Sequence, residues 1–278
     1  MDGDGRAYSM GERAGVGILT WALLADQPVD ALVTTRHGGV SAGPYARLNL
    51  GLHVGDDPAA VRENRRRAAA ALGLRLEDLV FCNQAHGRAV AVVGAEHGGR
   101  GTTDDADAID GVDALVTTTR GLGLVAMVAD CAPIVLVDPG AGVLACVHAG
   151  WRGTVARVAE AAVETMGSLG ATPGSILAAI GPAVAPERYQ VGHEVAAAAR
   201  AGLGPASERV VRPDGPGRWL FDLRSANRVV LEEAGVKTAN IVTADVPSDD
   251  EHFYSDRARR PCGRFAVLAA LRPRGKPL

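Results

Sequence analysis

The chain has 278 residues, 29 basic side chains against 32 acidic ones, a formal net charge of −3 and 47% hydrophobic residues. That length makes one large domain or two modest ones, with enough apolar residues for a sizeable core. Near-neutral charge excludes a dedicated nucleic-acid binder with a basic face, and no apolar run approaches the roughly 20 residues of a membrane-spanning helix.

The predicted elements alternate between strands and helices. Ala14 to Ala25 is apolar, but Asp2, Asp4 and Glu12 precede it where a secretory signal needs cations, so a cytoplasmic protein is expected. Apolar runs predict strands at 30–35, 79–82, 89–93, 114–118, 124–129, 134–137 and 143–147, then at 176–180, 240–243 and 264–271. A first helix is predicted from Pro58 to Leu72, with Asp57 as N-cap, Pro58 in the first turn and Gly73 just past the end. A second starts near Thr154 and puts Val155, Val158, Ala162 and Met166 on one face. A third runs near Glu194 to Ala201, and a fourth is opened by Asp222 and closed at Gly235. Stretches 97–107 and 202–217 read as surface loops, and no stretch reads as a linker. Hairpins mixed with helices predict an α+β fold or a mixed-sheet sandwich.

Cys82, Cys131, Cys146 and Cys262 are too scattered for a disulfide scaffold and are expected as reduced thiols. Lys237 and Lys276 are the only lysines, and neither stands in a Gly-Lys-Ser/Thr setting, which excludes a Walker A loop. Gly121-Leu122-Gly123-Leu124-Val125-Ala126 fits the dinucleotide pattern in letters, but an apolar strand follows it where a helix is required.

The informative polar residues follow apolar strands. Leu124–Ala129 runs into Asp130-Cys131-Ala132-Pro133, Val143–Val147 into His148-Ala149-Gly150-Trp151-Arg152-Gly153, and the strand ending at Cys82 into Asn83-Gln84-Ala85-His86-Gly87. If these ends converge, His86, Cys131 and His148 offer two imidazoles and a thiolate, the three-ligand pattern of a catalytic zinc site with one position free. Cys131 activated by His148 as a nucleophile is a rival use of the same atoms. A buried thiol beside two hydrogen-bonded histidines is the bland alternative. The glycine-rich run from Thr34 to Gly55 suggests close backbone approach to a ligand, with Arg36 as an anion holder and Asn49 and His53 as substrate contacts. Arg65-Arg66-Arg67 reads as a solvated helix face.

Assembled, these segments resemble the YfiH family, whose members are variously described as multicopper polyphenol oxidase-like (laccase-domain) proteins, peptidoglycan editing factors and FAMIN-related purine nucleoside phosphorylases. The resemblance is carried by Thr-Thr-Arg-x-Gly-Gly-Val-Ser from Thr34, Leu-Asn-Leu-Gly-x-His-Val-Gly-Asp from Leu48 and Asn-Gln-x-His-Gly from Asn83. It continues through Ala-Asp-Cys-x-Pro from Ala129, His-Ala-Gly-Trp-Arg-Gly from His148, Tyr-x-Val-Gly-x-Glu-Val from Tyr189 and Phe-Tyr-Ser from Phe253. These motifs cover about residues 30–270 in order.

The resemblance implies a single domain of mixed β-sheets sandwiched by helices, similar in fold to the cytotoxic-necrotizing-factor type of cysteine hydrolase, and a metal triad at His86, Cys131 and His148 usually assigned zinc. It implies phosphorolysis of adenosine, inosine, guanosine and methylthioadenosine, with deamination of adenosine. The expected partners are therefore purine nucleosides and phosphate, with no nucleic acid and no membrane, in a monomer or small homo-oligomer. Cys131, His148 and Asp130 are the expected catalytic group, with Asp130 orienting a ligand or acting as a base. Arg36 and Arg152 are the expected phosphate holders. Two alternatives stay open: copper in the triad with polyphenol (laccase-like) oxidation, and a Cys–His hydrolase that edits peptidoglycan precursors. Against a four-copper oxidase, the chain has seven histidines and no His-x-His pair, where about ten histidines are needed. Asp256, Ala244-Asp245 and Pro261-Cys262 depart from the usual family residues and bear on the substrate pocket, not on the triad.

Overall fold

In a computed structural model, which describes residues 7–249 and 251–273, four layers stack as helix, sheet, sheet and helices. Asp2, Asp4 and Lys276 lie outside the described residues. The first six-stranded sheet runs Tyr8–Arg13, Val16–Trp21, Val29–Thr34, Phe265–Leu271, Gly123–Val128 and Leu79–Val80. The second runs Ile241–Thr243, Leu177–Ile180, Ala132–Asp138, Val143–Ala149, Ala114–Thr117 and Val90–Val92. Within these two sheets most neighbours are antiparallel, and three pairs are parallel: Leu79–Val80 with Gly123–Val128, Leu177–Ile180 with Ile241–Thr243, and Val90–Val92 with Ala114–Thr117.

Strand residues alternate between faces, and here both faces are apolar because each sheet is covered twice. Val33, Leu124, Val128, Phe265 and Val267 of the first sheet meet Leu115, Val135, Val137, Leu144 and Cys146 of the second. The opposite face of the second sheet, with Ile134, Leu136, Ala145 and Val147, carries the helices Val158–Ser168, His193–Leu203 and Leu223–Glu233. Val125, Met127 and Leu268, on the outer face of the first sheet, pack with Ala68, Ala69 and Leu72 of the helix Pro58–Leu72. At about 25 cal/mol per Å² of apolar surface, such double coverage is the main source of stability. The mixed sheets between helices are those expected.

Pro58–Leu72 has the predicted ends: the Asp57 side chain accepts from the Ala59 N–H, and Gly73 takes the left-handed cap at φ 81°. The second predicted helix is two, Trp151–Val155 and Val158–Ser168, separated at Arg157, whose φ of 64° breaks the helical path. The stretch 202–217 corrects the loop expectation: it folds into a short helix, Ser207–Val210, and a strand, Val211–Pro213, because Val210 and Val211 are buried in the helical layer with Phe221. Gly38 and Gly39 do approach backbone closely, but the chain's own: a Cβ would stand 2.1 Å from the Gly15 carbonyl oxygen or 2.3 Å from that of Arg47. Among the described residues no helix is long and apolar enough to cross a membrane.

Candidate metal centre and active site

The chain passes from the first sheet to the second between Val128 and Ala132, and Cys131 sits on that crossing. On the neighbouring strand Val143–Ala149, Leu144 and Cys146 point into the layer between the sheets. Period two puts His148 next on that face, at the strand end, where it pairs in register with Pro133. His86 arrives from the loop after Cys82–Asn83, at a left-handed φ of 59°. The three donor atoms lie within 4.8 Å of one another, and the two imidazoles meet edge to face with centroids 4.7 Å apart.

Asp113, which the sequence reading passed over, holds this cluster together. Its Oδ1 accepts from the His86 N–H at 2.9 Å and from His148 Nδ1 at 2.8 Å, and Oδ2 accepts from the Gly87 N–H at 2.6 Å. A carboxylate can only accept here, so Nδ1 of His148 carries the proton and Nε2 is the nitrogen free for a metal. Burial raises the Asp113 carboxyl, but the His148 hydrogen bond and those from the Gly87 and His86 N–H groups outweigh it and hold it below the usual range. Burial likewise opposes a charged Cys131, yet the charge and hydrogen bond of His148, with the hydrogen bond of His86, bring the thiol below its ordinary range. The thiolate and Asp113 in turn hold His148 above the ordinary imidazole range against burial. Cys82, without such partners, is pushed up to about 12 by burial, and Cys146 is pushed up in the same way.

Two imidazoles and a thiolate suit an ion that takes N and S ligands at about 2.0–2.3 Å, and the surroundings fit one. Gly150 borders the cluster: a Cβ there would meet Cys131 Sγ at 2.9 Å and His86 Cδ2 at 3.2 Å, so only glycine leaves room. Among the described residues this is the one group of three or more His, Cys, Asp or Glu placed to share an ion.

The triad lines a cavity of about 670 Å³ that also takes in His53, Asp105, Tyr189, Arg152, Arg257 and Arg264. Of the residues singled out in the sequence, His53 and Arg152 line it: His53 Nδ1 lies 3.8 Å from Asp105 Oδ2, and the Arg152 guanidinium stacks 4.4 Å from the Trp151 ring centre. Arg36 and Asn49 do not line it. Arg36 donates to the Ala46 carbonyl at 2.6 and 2.8 Å and lies over Tyr254. Buried Asn49 accepts from the Arg264 N–H at 2.8 Å and donates to Asp56, so it reaches the cavity only through the backbone that carries Arg264. Asp130 borders the cavity with its carboxylate engaged by Ser248, Ser255 and the Arg257 N–H. Asp256, one of the departures from the family pattern, is on the cavity wall and pairs with Arg260.

The arginine triplet also divides. Arg66 and Arg67 pair with Glu63 on the surface, whereas the Arg65 side chain is 0% exposed. It donates to the carbonyls of Leu50, Gly101 and Thr102, lies 4.2 Å over Phe81 and reaches Asp105 on the cavity wall.

A two-sheet sandwich with a His–Cys–His cluster at the crossing between sheets defines an α+β protein built around one candidate metal centre. The family model described as multi-copper polyphenol oxidoreductase laccase matches residues 30–272, and the chain belongs to that family. It is 46% identical over 248 residues to a purine nucleoside phosphorylase of Deinococcus radiodurans, covering 87% of this chain and 90% of that protein. To adenosine deaminase RL5 from an unknown prokaryotic organism it is 43% identical over 232 residues, covering 84% of this chain and 88% of that one. The crystal structure of YlmD from Geobacillus stearothermophilus matches with a TM-score of 0.91 at 38% identity, over 96% of this chain and 99% of that chain.

Proposed function

We propose that this chain is a zinc-dependent purine nucleoside phosphorylase that also deaminates adenosine, working in the cytoplasm. The observation that carries the reading is the open three-donor cradle of His86, Cys131 and His148 in the wall of a cavity that also presents arginines. Its relatives among phosphorylases and deaminases support the substrate class. A divalent ion held by those three side chains supplies Lewis acidity and the activation of water that attack at C6 of adenine requires.

The protein's own groups divide the remaining work. Arg152 and Arg257 offer planar, permanently charged donors for phosphate. Trp151 and Tyr189 give apolar surface for the flat base, and His53 on the same wall contacts the nucleoside. Asp113 keeps the His148 tautomer and the His86 loop in place. Copper oxidation of phenols at four coppers finds one three-donor group among the described residues instead of several. The test is metal content of freshly purified protein, followed by assays of adenosine, inosine and guanosine with and without phosphate. Ribose 1-phosphate that forms only with phosphate, and inosine from adenosine without it, is the expected pattern.

A second reading draws on the line Cys131, His148, Asp113, which is also the order of a thiolate, its base and an orienting carboxylate. In that case the chain would be a Cys131 hydrolase, of peptidoglycan precursors for example. A ligand thiolate is shielded, whereas a nucleophile is not. Iodoacetamide that labels Cys131 equally with and without chelator favours the hydrolase.

A further inference from the structure

Asp130 immediately precedes the ligand Cys131, and a catalytic base there would need a free oxygen facing the cavity. Both oxygens are instead engaged by the protein's own donors. Oδ1 accepts from Ser248 Oγ at 2.6 Å and Ser255 Oγ at 2.7 Å, and Oδ2 accepts from the Arg257 N–H at 2.6 Å. The Asp130 carbonyl accepts from the Val184 N–H at 3.0 Å, and the residue holds a left-handed φ of 82°, a region that aspartate tolerates better than most residues with a Cβ. Ser255 Oγ, besides donating to Asp130, accepts from the Ala258 N–H at 3.1 Å.

The segment so gripped carries the cationic wall. Arg257 lines the main cavity and an adjoining pocket of about 320 Å³ that also contains Arg188. Its guanidinium donates to the Gln190 carbonyl at 2.6 Å and lies 5.9 Å from the Tyr189 ring centre. Asp256, the residue before Arg257, anchors Arg260, and Arg264 follows on the same wall. We propose that Asp130 is a positioning residue: its carboxylate latches the arginine-bearing segment to the strand crossing that carries Cys131, and so sets the affinity of the cavity for phosphate. The inference rests on the phosphorolysis reading for the identity of the anion. It assigns Asp130 no proton transfer.

The test uses the metal-loaded full chain. Ser255→Ala removes one donor to the latch and Asp130→Asn replaces one acceptor oxygen by a donor facing an N–H. KM for phosphate is expected to rise about 3-fold to 10-fold in Ser255→Ala, the equivalent of one net hydrogen bond, and further in Asp130→Asn. Phosphate-free deamination by Ser255→Ala stays within about twofold, and the pH profile of kcat keeps its shape in Asp130→Asn. A lower kcat with unchanged KM for phosphate, or a missing limb in that pH profile, overturns the latch in favour of a base. Calorimetric titration of each metal-loaded protein with inorganic phosphate gives a second readout that needs no turnover. If the unmodified protein cleaves no nucleoside, the functional reading fails, while weaker phosphate binding by the variants still supports the latch and equal binding still refutes it.

Discussion

Replacing Asp113 by Asn keeps the shape of the side chain and removes its charge and one acceptor. In the native site the carboxylate receives three hydrogen bonds, from His148 Nδ1 at 2.8 Å, the His86 N–H at 2.9 Å and the Gly87 N–H at 2.6 Å. An Asn serves only part of this set, and its amide nitrogen opposes either the Gly87 N–H or the protonated Nδ1. Hydrogen bonds to a charged group contribute about 1.5–3 kcal/mol each, so losing one and weakening the rest costs about 2–4 kcal/mol, shared between folding and metal binding. Changes behind a metal-bound His typically weaken metal affinity 10-fold to 100-fold, or about 1.4–2.7 kcal/mol. Competition for zinc against a chromophoric chelator measures that share directly. A folded Asp113→Asn protein that binds zinc within about twofold of the native one would refute the claim that this carboxylate organises the centre.

Gly150→Ala is expected to lower metal occupancy sharply, because the added methyl lies 2.9 Å from Cys131 Sγ; elemental analysis of the purified variant checks this. Arg65→Met strips the carbonyls of Leu50, Gly101 and Thr102 of a buried donor, and a loss of about 3–5 kcal/mol is expected in denaturant unfolding. The Asp113 carboxyl is held below its usual range in the fold. Its contribution to stability is therefore complete above the unfolded value of about 3.9 and is lost as pH falls through the depressed folded value. Metal-free Asp113→Asn should show a shallower acid unfolding limb than the native chain, and an identical limb would count against this account. In the metal-free protein Cys131 should alkylate well below the pH at which an ordinary thiol, with a pKa of about 8.5, becomes reactive, while Cys82 stays unlabelled; peptide mapping after a pH series resolves the two.

The sequence revealed elements where local signals decide them. Asp57, Pro58 and Gly73 mark both ends of one helix because capping is a matter of neighbouring backbone groups. Strand ends that run into Cys131, His148 and His86 were visible as apolar runs stopping at polar residues, and the structure brings all three together. The hairpin Tyr8–Arg13 with Val16–Trp21 was missed because its outer strand is almost wholly exposed and has no apolar alternation. Asp113 stands 35 residues from His148, a pairing that only the sheet creates; its one local sign was a carboxylate at the mouth of the buried strand Ala114–Thr117. Arg65 carried a sign too, since Val61, Arg65, Ala68, Ala69 and Leu72 share one helix face. Its charge argued for solvent, and the three carbonyls that receive it come from other segments. Arg36 and Asn49 lie in motifs dense in polar residues, yet those polar atoms bind the chain's own backbone.

The central claim is that one metal held by His86, Cys131 and His148 serves nucleoside chemistry in the arginine-lined cavity. Its most direct test is a single incubation of metal-quantified protein with adenosine and phosphate, repeated after chelation and after zinc is restored. One zinc per chain, with ribose 1-phosphate and inosine formed, abolished by the chelator and recovered with zinc, is the predicted result. Protein without bound metal, or turnover of neither kind at any metal loading, would contradict it.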